Sequence, residues 1–302
     1  MKVDIVIGED NFSKQIAEQI NADFIKIKNT IFPDSEIKST IETEKIKNKN
    51  ILLILRTNRF KPAVNNVIIK IYFIFNLLKE NDAKELNLLL PYMFYARQDK
   101  QFLPGETRSF SNIANLYESL NVSNIITINS HLYGKTPNIQ SFFKKIKIHD
   151  LTPVKIFSDY LKTKNLKNPI VIGPGKGADT LIREMANYLN CDFEILEKER
   201  NHYTQHITMK PPKANLYNRD VIIYDDIAAS GKTIISAFEL VKQKNPRKIF
   251  VCLAHLITKS GIEKLQNLGS ELITTDTFFS KEPKKFIELS IVPLISEYIK
   301  NM

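Results

Sequence analysis

Residues 221–234 read VIIYDDIAASGKTI. The run Val221–Tyr224 is apolar and β-prone. Two acids, Asp225 and Asp226, follow it, then the small residues Ala228, Ala229, Ser230 and Gly231, then helical periodicity from Thr233 to Gln243. Strand, tight loop and helix in that order form one βα unit of a parallel sheet, and such sheets bind ligands beyond the carboxyl ends of their strands. The ending Gly231-Lys232-Thr233 is that of the ATP-binding Walker A loop. That loop, however, needs a glycine five positions before its second glycine, and Asp226 stands there. The first turn of the helix offers unpaired N–H groups and a partial positive charge, which suit a phosphate. Carboxylates beside it accept hydrogen bonds from hydroxyls or hold Mg²⁺. A sugar phosphate satisfies both features. A capped helix beside two solvated acids accounts for the same letters, so both readings stay open at this stretch.

The same alternation runs along the whole chain. Strands are expected at 3–7, 24–27, 51–55, 85–90, 125–128, 170–172, 193–196, 221–224, 248–253 and 271–274. Helices are expected at 12–20, 65–80, 110–120, 153–161, 179–189, 233–243, 259–266 and 286–301. Apolar strands alternating with helices predict parallel sheets covered on both faces, an α/β class. The pattern runs twice without close sequence repetition, with a break near Lys144–Asp150. A chain of 302 residues suits two cores, and 43% apolar residues can fill them. The expected domains are 1–147 and 148–302, with the final helix 286–301 packing back on the first.

The net charge of +10 suits polyanionic ligands. The lysines are scattered rather than clustered, which argues for polyphosphate metabolites and against a nucleic-acid groove. Cys191 and Cys252 do not form a metal-type pair, and the lack of a disulfide framework predicts a reducing cytoplasm. The start MKVDIVIGED is not a signal peptide. The most apolar run, Val67–Leu78, is too short to span a bilayer. Its apolar residues lie almost all round a helix, which implies burial on more than one side or a subunit interface.

Further segments share one resemblance. Phe32-Pro33-Asp34-Ser35-Glu36 resembles FPDGE, with Ser for Gly. Pro91–Lys100 (PYMFYARQDK) matches PYxxYARQDK almost fully. Thr127–His131 followed by Tyr133-Gly134 resembles TxDxH, and Lys198-Glu199-Arg200 matches KxR. Gly173–Gly177 aligns with SPDxG, while Ala254-His255-Leu256 and Thr275-Asp276-Thr277 resemble THxxF and TDT. These are the motifs, in order, of the ribose-phosphate pyrophosphokinases, and the chain is identified as a member of that family by resemblance.

The resemblance implies two similar phosphoribosyltransferase-like domains, each a mainly parallel sheet flanked by helices. It implies transfer of the β,γ-diphosphoryl group of Mg–ATP to the 1-hydroxyl of ribose 5-phosphate, giving phosphoribosyl pyrophosphate and AMP, with Mg²⁺ as cofactor. By the same resemblance Arg97, Gln98, Asp99 and Lys100 hold ATP, and Phe32, Asp34 and Glu36 line the adenine site from a neighbouring subunit of a homo-oligomer. Lys198 and Arg200 close over the transferred group. His131 lies near Mg–ATP as a catalytic and metal residue. Asp225 and Asp226 take ribose hydroxyls and a metal, and Ala229, Ser230, Gly231, Lys232 and Thr233 take the 5-phosphate. No nucleic-acid or membrane partner is implied.

The chain departs from the family at Gly175, where an aspartate helps to hold the Mg²⁺ of Mg–ATP alongside the histidine matched by His131. It also departs at Asn129, at Ala229 and at Lys232, where a glycine is usual. Those departures keep two alternatives open: a catalytically weak subunit with a regulatory or assembly role, and a phosphoribosyltransferase or transferase-derived regulator. The spacing of His202 and His206 suits zinc on a helix, but Tyr203, Thr204 and Thr208 favour strand or loop there.

Overall fold

The computed structural model describes residues 1–59, 63–200, 207–229, 231–257, 263–265, 267, 269–280 and 286–302, without the side chains of 199, 200, 207 and 208. The chain divides into two compact units. One comprises Met1–Ser130, Pro137–Leu151 and Ser290–Met302; the other comprises His131–Thr136 and Thr152–Leu289.

In the first unit the elements run β1 (Ile5–Gly8), α1 (Asn11–Ile20), β2 (Asp23–Lys26), β3 (Lys28–Ile31), β4 (Ile37–Thr40), β5 (Asn50–Ile54), α2 (Val64–Glu80), β6 (Glu85–Leu89), α3 (Ser109–Ser119), β7 (Asn124–Ile128) and β8 (Lys147–Leu151). The sheet order is β2-β1-β5-β6-β7-β8, all parallel, and β3 and β4 form a separate antiparallel hairpin. Strands β5 and β7 are buried along their whole length, as expected for apolar runs covered on both faces.

The second unit repeats the plan. Its elements are α4 (Val154–Lys162), β9 (Ile170–Gly173), α5 (Asp179–Leu189), β10 (Asp192–Ile195), β11 (Lys198–Arg200), β12 (Ile207–Met209), β13 (Asp220–Ala228), α6 (Lys232–Lys242), β14 (Lys248–Leu256), β15 (Glu271–Thr275) and β16 (Ile287–Leu289). The order β10-β9-β13-β14-β15-β16 is parallel throughout, again with one antiparallel hairpin, β11–β12. Its core gathers Val154, Phe157, Ile182, Met185, Tyr224 and Cys252 between sheet and helices.

Several boundaries differ from the sequence expectation. The break expected near Lys144–Asp150 is the edge strand β8. The helix expected over 286–301 is a strand, β16, followed by α7 (Val292–Asn301), which packs against α1 in the first unit. Ser290 breaks the segment, and Pro293 suits only the first turn of a helix, so the helix begins there and not earlier. The helix expected over 259–266 falls largely outside the described residues.

Helix α2 buries Val67, Ile71, Ile74, Phe75 and Leu78 but leaves Ile69, Tyr72 and Phe73 45%, 41% and 47% exposed. Among the described residues no helix is long and apolar enough to cross a membrane.

At the end of β8 the Asp150 carboxylate accepts hydrogen bonds from the Ser130 N–H at 2.9 Å and the Ser130 hydroxyl at 2.5 Å. Burial nevertheless pushes this carboxyl up to about 6. A raised folded-state pKa means that the native state binds the proton more tightly than the unfolded chain. The stabilisation is therefore complete below the ordinary aspartate value near 4 and is lost as pH rises through about 6. The melting temperature of the wild type minus that of Asp150→Asn is expected to be a few degrees larger at pH 4.5 than at pH 7.5. A difference independent of pH would refute the assignment.

Candidate active site

In each sheet the strand order reverses once. The reversal lies between β9 and β13 in the second unit and between β1 and β5 in the first. Crevices for ligands open at such switch points, at the carboxyl ends of the strands. Strand β9 pairs with β13 at Val221, Ile222 and Ile223, whereas β14 pairs with β13 as far as Ala228. The end of β13 therefore stands free of β9 on one side, and the crevice opens there.

The acid pair lies inside this extension and not in a loop after the strand: Asp225 is in register with Leu253, and Ile227 with His255. Asp225 is pushed well above the usual carboxylate range, first by burial and then by the charge of Asp226; the charge of Lys198 acts against this. For Asp226 burial works in the same direction, but the hydrogen bond from His131, with the charge of Lys135, outweighs it and holds the carboxyl low. One ionised acid beside one held neutral for want of a counter-charge is an arrangement that a hard cation or a set of sugar hydroxyls would relieve.

Gly231 caps α6 with φ of 73°, a left-handed conformation that glycine adopts without strain. Among the described residues no side chain caps this helix, so its first turn offers N–H groups that suit a phosphate. Lys232 is the first helical residue. The lysine in place of a glycine is thus tolerated, because the positive φ falls one residue earlier. Ser230 lies outside the described residues. Ala229 is half-buried at the end of β13.

Lys198 extends from β11 with its ammonium 3.4 Å from the Thr233 hydroxyl. A Cβ at Gly175 would meet the Lys198 Cδ at 3.3 Å, so the lysine stem lies along the glycine backbone. Arg200 pairs through its backbone with Ile207 in the same hairpin, and the two histidines of zinc-like spacing lie outside the described residues.

His131 closes the crevice. Its Nδ1 is 2.7 Å from Asp226 Oδ2, and its Nε2 is 3.3 Å from the Lys135 ammonium. With Nδ1–H donating to the carboxylate, the Nε2 lone pair accepts from Lys135. Two positions therefore answer differently to a hard cation. Asp225 and Asp226 fit one. The His131 end, with no carboxylate at Gly175 and an ammonium already on the imidazole, does not. Among the described residues no cluster of three or more His, Cys, Asp or Glu side chains is placed to hold a metal.

The other motif residues lie in the first unit. Met93, Phe94 and Ala96 are buried and anchor the segment, so that Arg97, Gln98 and Lys100 stand exposed with Asp99 half-buried. Tyr92 and Tyr95 are only partly buried, and the Tyr95 hydroxyl donates to Asn65 at 2.6 Å. Phe32, Asp34 and Glu36 form the turn of the β3–β4 hairpin. The Phe32 N–H donates to the Glu36 carbonyl at 2.9 Å, and the Glu36 N–H to Asp34 at 3.1 Å. Ser35 takes φ of 73° in this turn. That conformation costs a non-glycine residue about 1 kcal/mol or more, so Ser35→Gly is expected to slow hydrogen exchange at the Phe32 amide. Faster exchange would show that the serine side chain holds the turn.

His255 and Thr277, from the two later motif segments, are buried and lie 3.0 Å apart (Nδ1 to Oγ1). Asn129 is also buried, at φ of 43°, where asparagine is well tolerated. Lys135, unremarked in the sequence, is the unexpected member of the site; its only signal is a position four residues after His131 and directly after Gly134.

At the equivalent switch point of the first unit Arg56 follows β5 and donates from Nε to Asp10 at 3.0 Å, while Lys70 pairs with Glu9. Both pairs are largely buried on the cationic side, with the Arg56 and Lys70 side chains 8% and 11% exposed.

Residues 3–120 match the model of the N-terminal domain of ribose phosphate pyrophosphokinase, and residues 154–280 match that of the phosphoribosyl transferase domain. The ribose-phosphate pyrophosphokinase of Bacillus cereus is 31% identical over 304 residues, covering 99% of this chain and 93% of that protein. The enzyme of the same name from Sulfurisphaera tokodaii is 28% identical, covering 98% of this chain and 100% of its own length. The crystal structure of phosphoribosylpyrophosphate synthetase from Mycobacterium smegmatis shares the fold, with a TM-score of 0.85 at 19% identity over 99% of this chain and 98% of that one. Motif order, duplicated sheets and full-length similarity agree: the chain belongs to the ribose-phosphate pyrophosphokinase family.

Proposed function

We propose that this chain transfers the diphosphoryl group of ATP to the 1-hydroxyl of ribose 5-phosphate. The hydroxyl oxygen attacks the β-phosphorus, the bond from that phosphorus to the oxygen bridging to the α-phosphate breaks, and AMP leaves. The observation that carries this reading is the acid pair of β13 beside the open first turn of α6. Asp225 and Asp226 take the ribose hydroxyls, and residues 229–233 take the 5-phosphate. Lys198, already on Thr233, and Arg200 neutralise charge spreading over the transferred group, the dominant need in phosphoryl transfer. Arg97, Gln98, Asp99 and Lys100, exposed on a buried anchor, hold ATP, with Phe32, Asp34 and Glu36 lining the adenine. His131 orients Asp226. Mg²⁺, held by Asp225 and Asp226, supplies further positive charge when bound.

The apolar strip Ile69, Tyr72 and Phe73 on α2 and the exposed Phe32 support a homo-oligomer in which the adenine site is shared between subunits. The absence of a disulfide framework supports a cytoplasmic place.

The test is release of AMP from ATP with Mg²⁺, dependent on ribose 5-phosphate. Absence of AMP with Mg²⁺ or Mn²⁺, while ATP still binds, would overturn the proposal in favour of a regulatory or assembly subunit.

A further inference from the structure

The turn after His131 is built to return one side chain onto it. The Lys135 N–H donates to the Leu132 carbonyl at 3.2 Å, and Gly134 takes φ of 65°. A Cβ at Gly134 would lie 2.4 Å from the Thr180 hydroxyl oxygen of α5, so only glycine fits between this turn and the helix. The Thr180 hydroxyl donates to the Gly134 carbonyl at 3.3 Å and fixes the turn. The Lys135 ammonium then lies 3.3 Å from His131 Nε2 and is hydrogen-bonded to the His131 carbonyl. It also reaches the loop after β9, 3.8 Å from where a Cβ at Gly177 would stand.

We propose that the Lys135 ammonium is a fixed internal cation of this crevice, which takes the place of a divalent ion at His131 and excludes one there. An imidazole offers one lone pair when its other nitrogen donates to a carboxylate, and here Lys135 uses it. A divalent ion at Nε2 would sit within the space of the ammonium and against its charge. The glycine at 175 fits the same logic. A site whose positive charge is built in needs no carboxylate to gather a metal, and the backbone of Gly175 is instead covered by the Lys198 stem. Lys135 is a positioning residue: its charge acts through His131 on Asp226.

The inference rests on the proposed function for the role of the crevice, but its test does not depend on turnover. Mn²⁺ binding to the full chain without nucleotide is measured from the electron paramagnetic resonance signal of free Mn²⁺, for the wild type, Lys135→Met, Gly175→Asp and the double variant. Gly175→Asp alone is expected to bind Mn²⁺ no more tightly than the wild type, because the new carboxylate meets Lys198 while Lys135 still occupies His131 Nε2. The double variant is expected to bind at least ten-fold more tightly than either single variant. An equal gain from Gly175→Asp alone, or no gain in the double variant, would overturn the proposal. Nitrogen-15 NMR of the His131 ring with diamagnetic Cd²⁺ gives a second readout that needs only one substitution, because Nε2 moves strongly only on direct ligation. Cd²⁺ is expected to shift Nε2 strongly in Lys135→Gln and little in the wild type, and an equal shift would overturn the proposal. Failure to form AMP would remove the proposed function and leave both measurements intact.

Discussion

Replacing Lys198 by alanine is expected to lower kcat by about 100- to 1000-fold, the usual cost of removing one preorganised charge donor from a transition state. The dissociation constant for ATP should change less than about three-fold. The lysine lies in the second unit, its ammonium on Thr233 and its stem along Gly175, and the residues proposed to hold ATP belong to the first. Its loss removes a cation that acts when charge spreads over the transferred group, so the effect belongs in kcat and not in ATP binding. Rapid-quench measurement of AMP formation and calorimetric ATP binding separate the two. A loss of less than five-fold in kcat, or a parallel loss in ATP affinity, would show that the KxR match misleads.

The second large effect is expected at Asp226. Changing it to asparagine removes the charge that holds His131 and one acceptor for a ribose hydroxyl. Charge-assisted hydrogen bonds contribute about 1.5–3 kcal/mol each, so the loss of two, about 3–6 kcal/mol, predicts roughly a 100- to 10,000-fold fall in kcat/KM for ribose 5-phosphate. ATP affinity should again hold. A variant with normal kcat/KM would place the sugar elsewhere and return the acid pair to a structural role.

Much of this site was legible in the letters because it is written in contiguous segments. The run Pro91–Lys100 carries both its anchors (Met93, Phe94 and Ala96 in the core) and its exposed polar residues, so pattern and chemistry coincide. The central strands were legible for a similar reason: apolar runs such as 51–55 are buried on both faces. The hairpins were not. Strand β3 is exposed at all four residues and shows no apolar alternation for a period-two reading to detect.

The extension of β13 through Asp225 and Asp226 was also invisible. Acids disfavour strands, and only the long partner β14 holds these two residues in the sheet. The start of α7 was misjudged because β16 gains its strand state from pairing with β15, a tertiary effect. Lys135 left no motif. Its role depends on a glycine turn packed against α5, which joins residues about 45 positions apart and has no local signature.

The departures at Gly175 and Lys232 now differ in kind. Lys232 is conformationally neutral, since the left-handed residue is Gly231. Gly175 lacks the carboxylate that the resemblance expects there, and under the proposal Lys135 supplies the missing positive charge at His131. The central claim is that diphosphoryl transfer survives this exchange. Phosphorus-31 NMR of the full chain with ATP, Mg²⁺ and ribose 5-phosphate tests it most directly. The expected result is equimolar AMP and a sugar carrying a diphosphate at C1, with no ADP and no change when ribose 5-phosphate is left out. ATP that binds but stays intact in the complete mixture, or ADP formed in place of AMP, would contradict the claim.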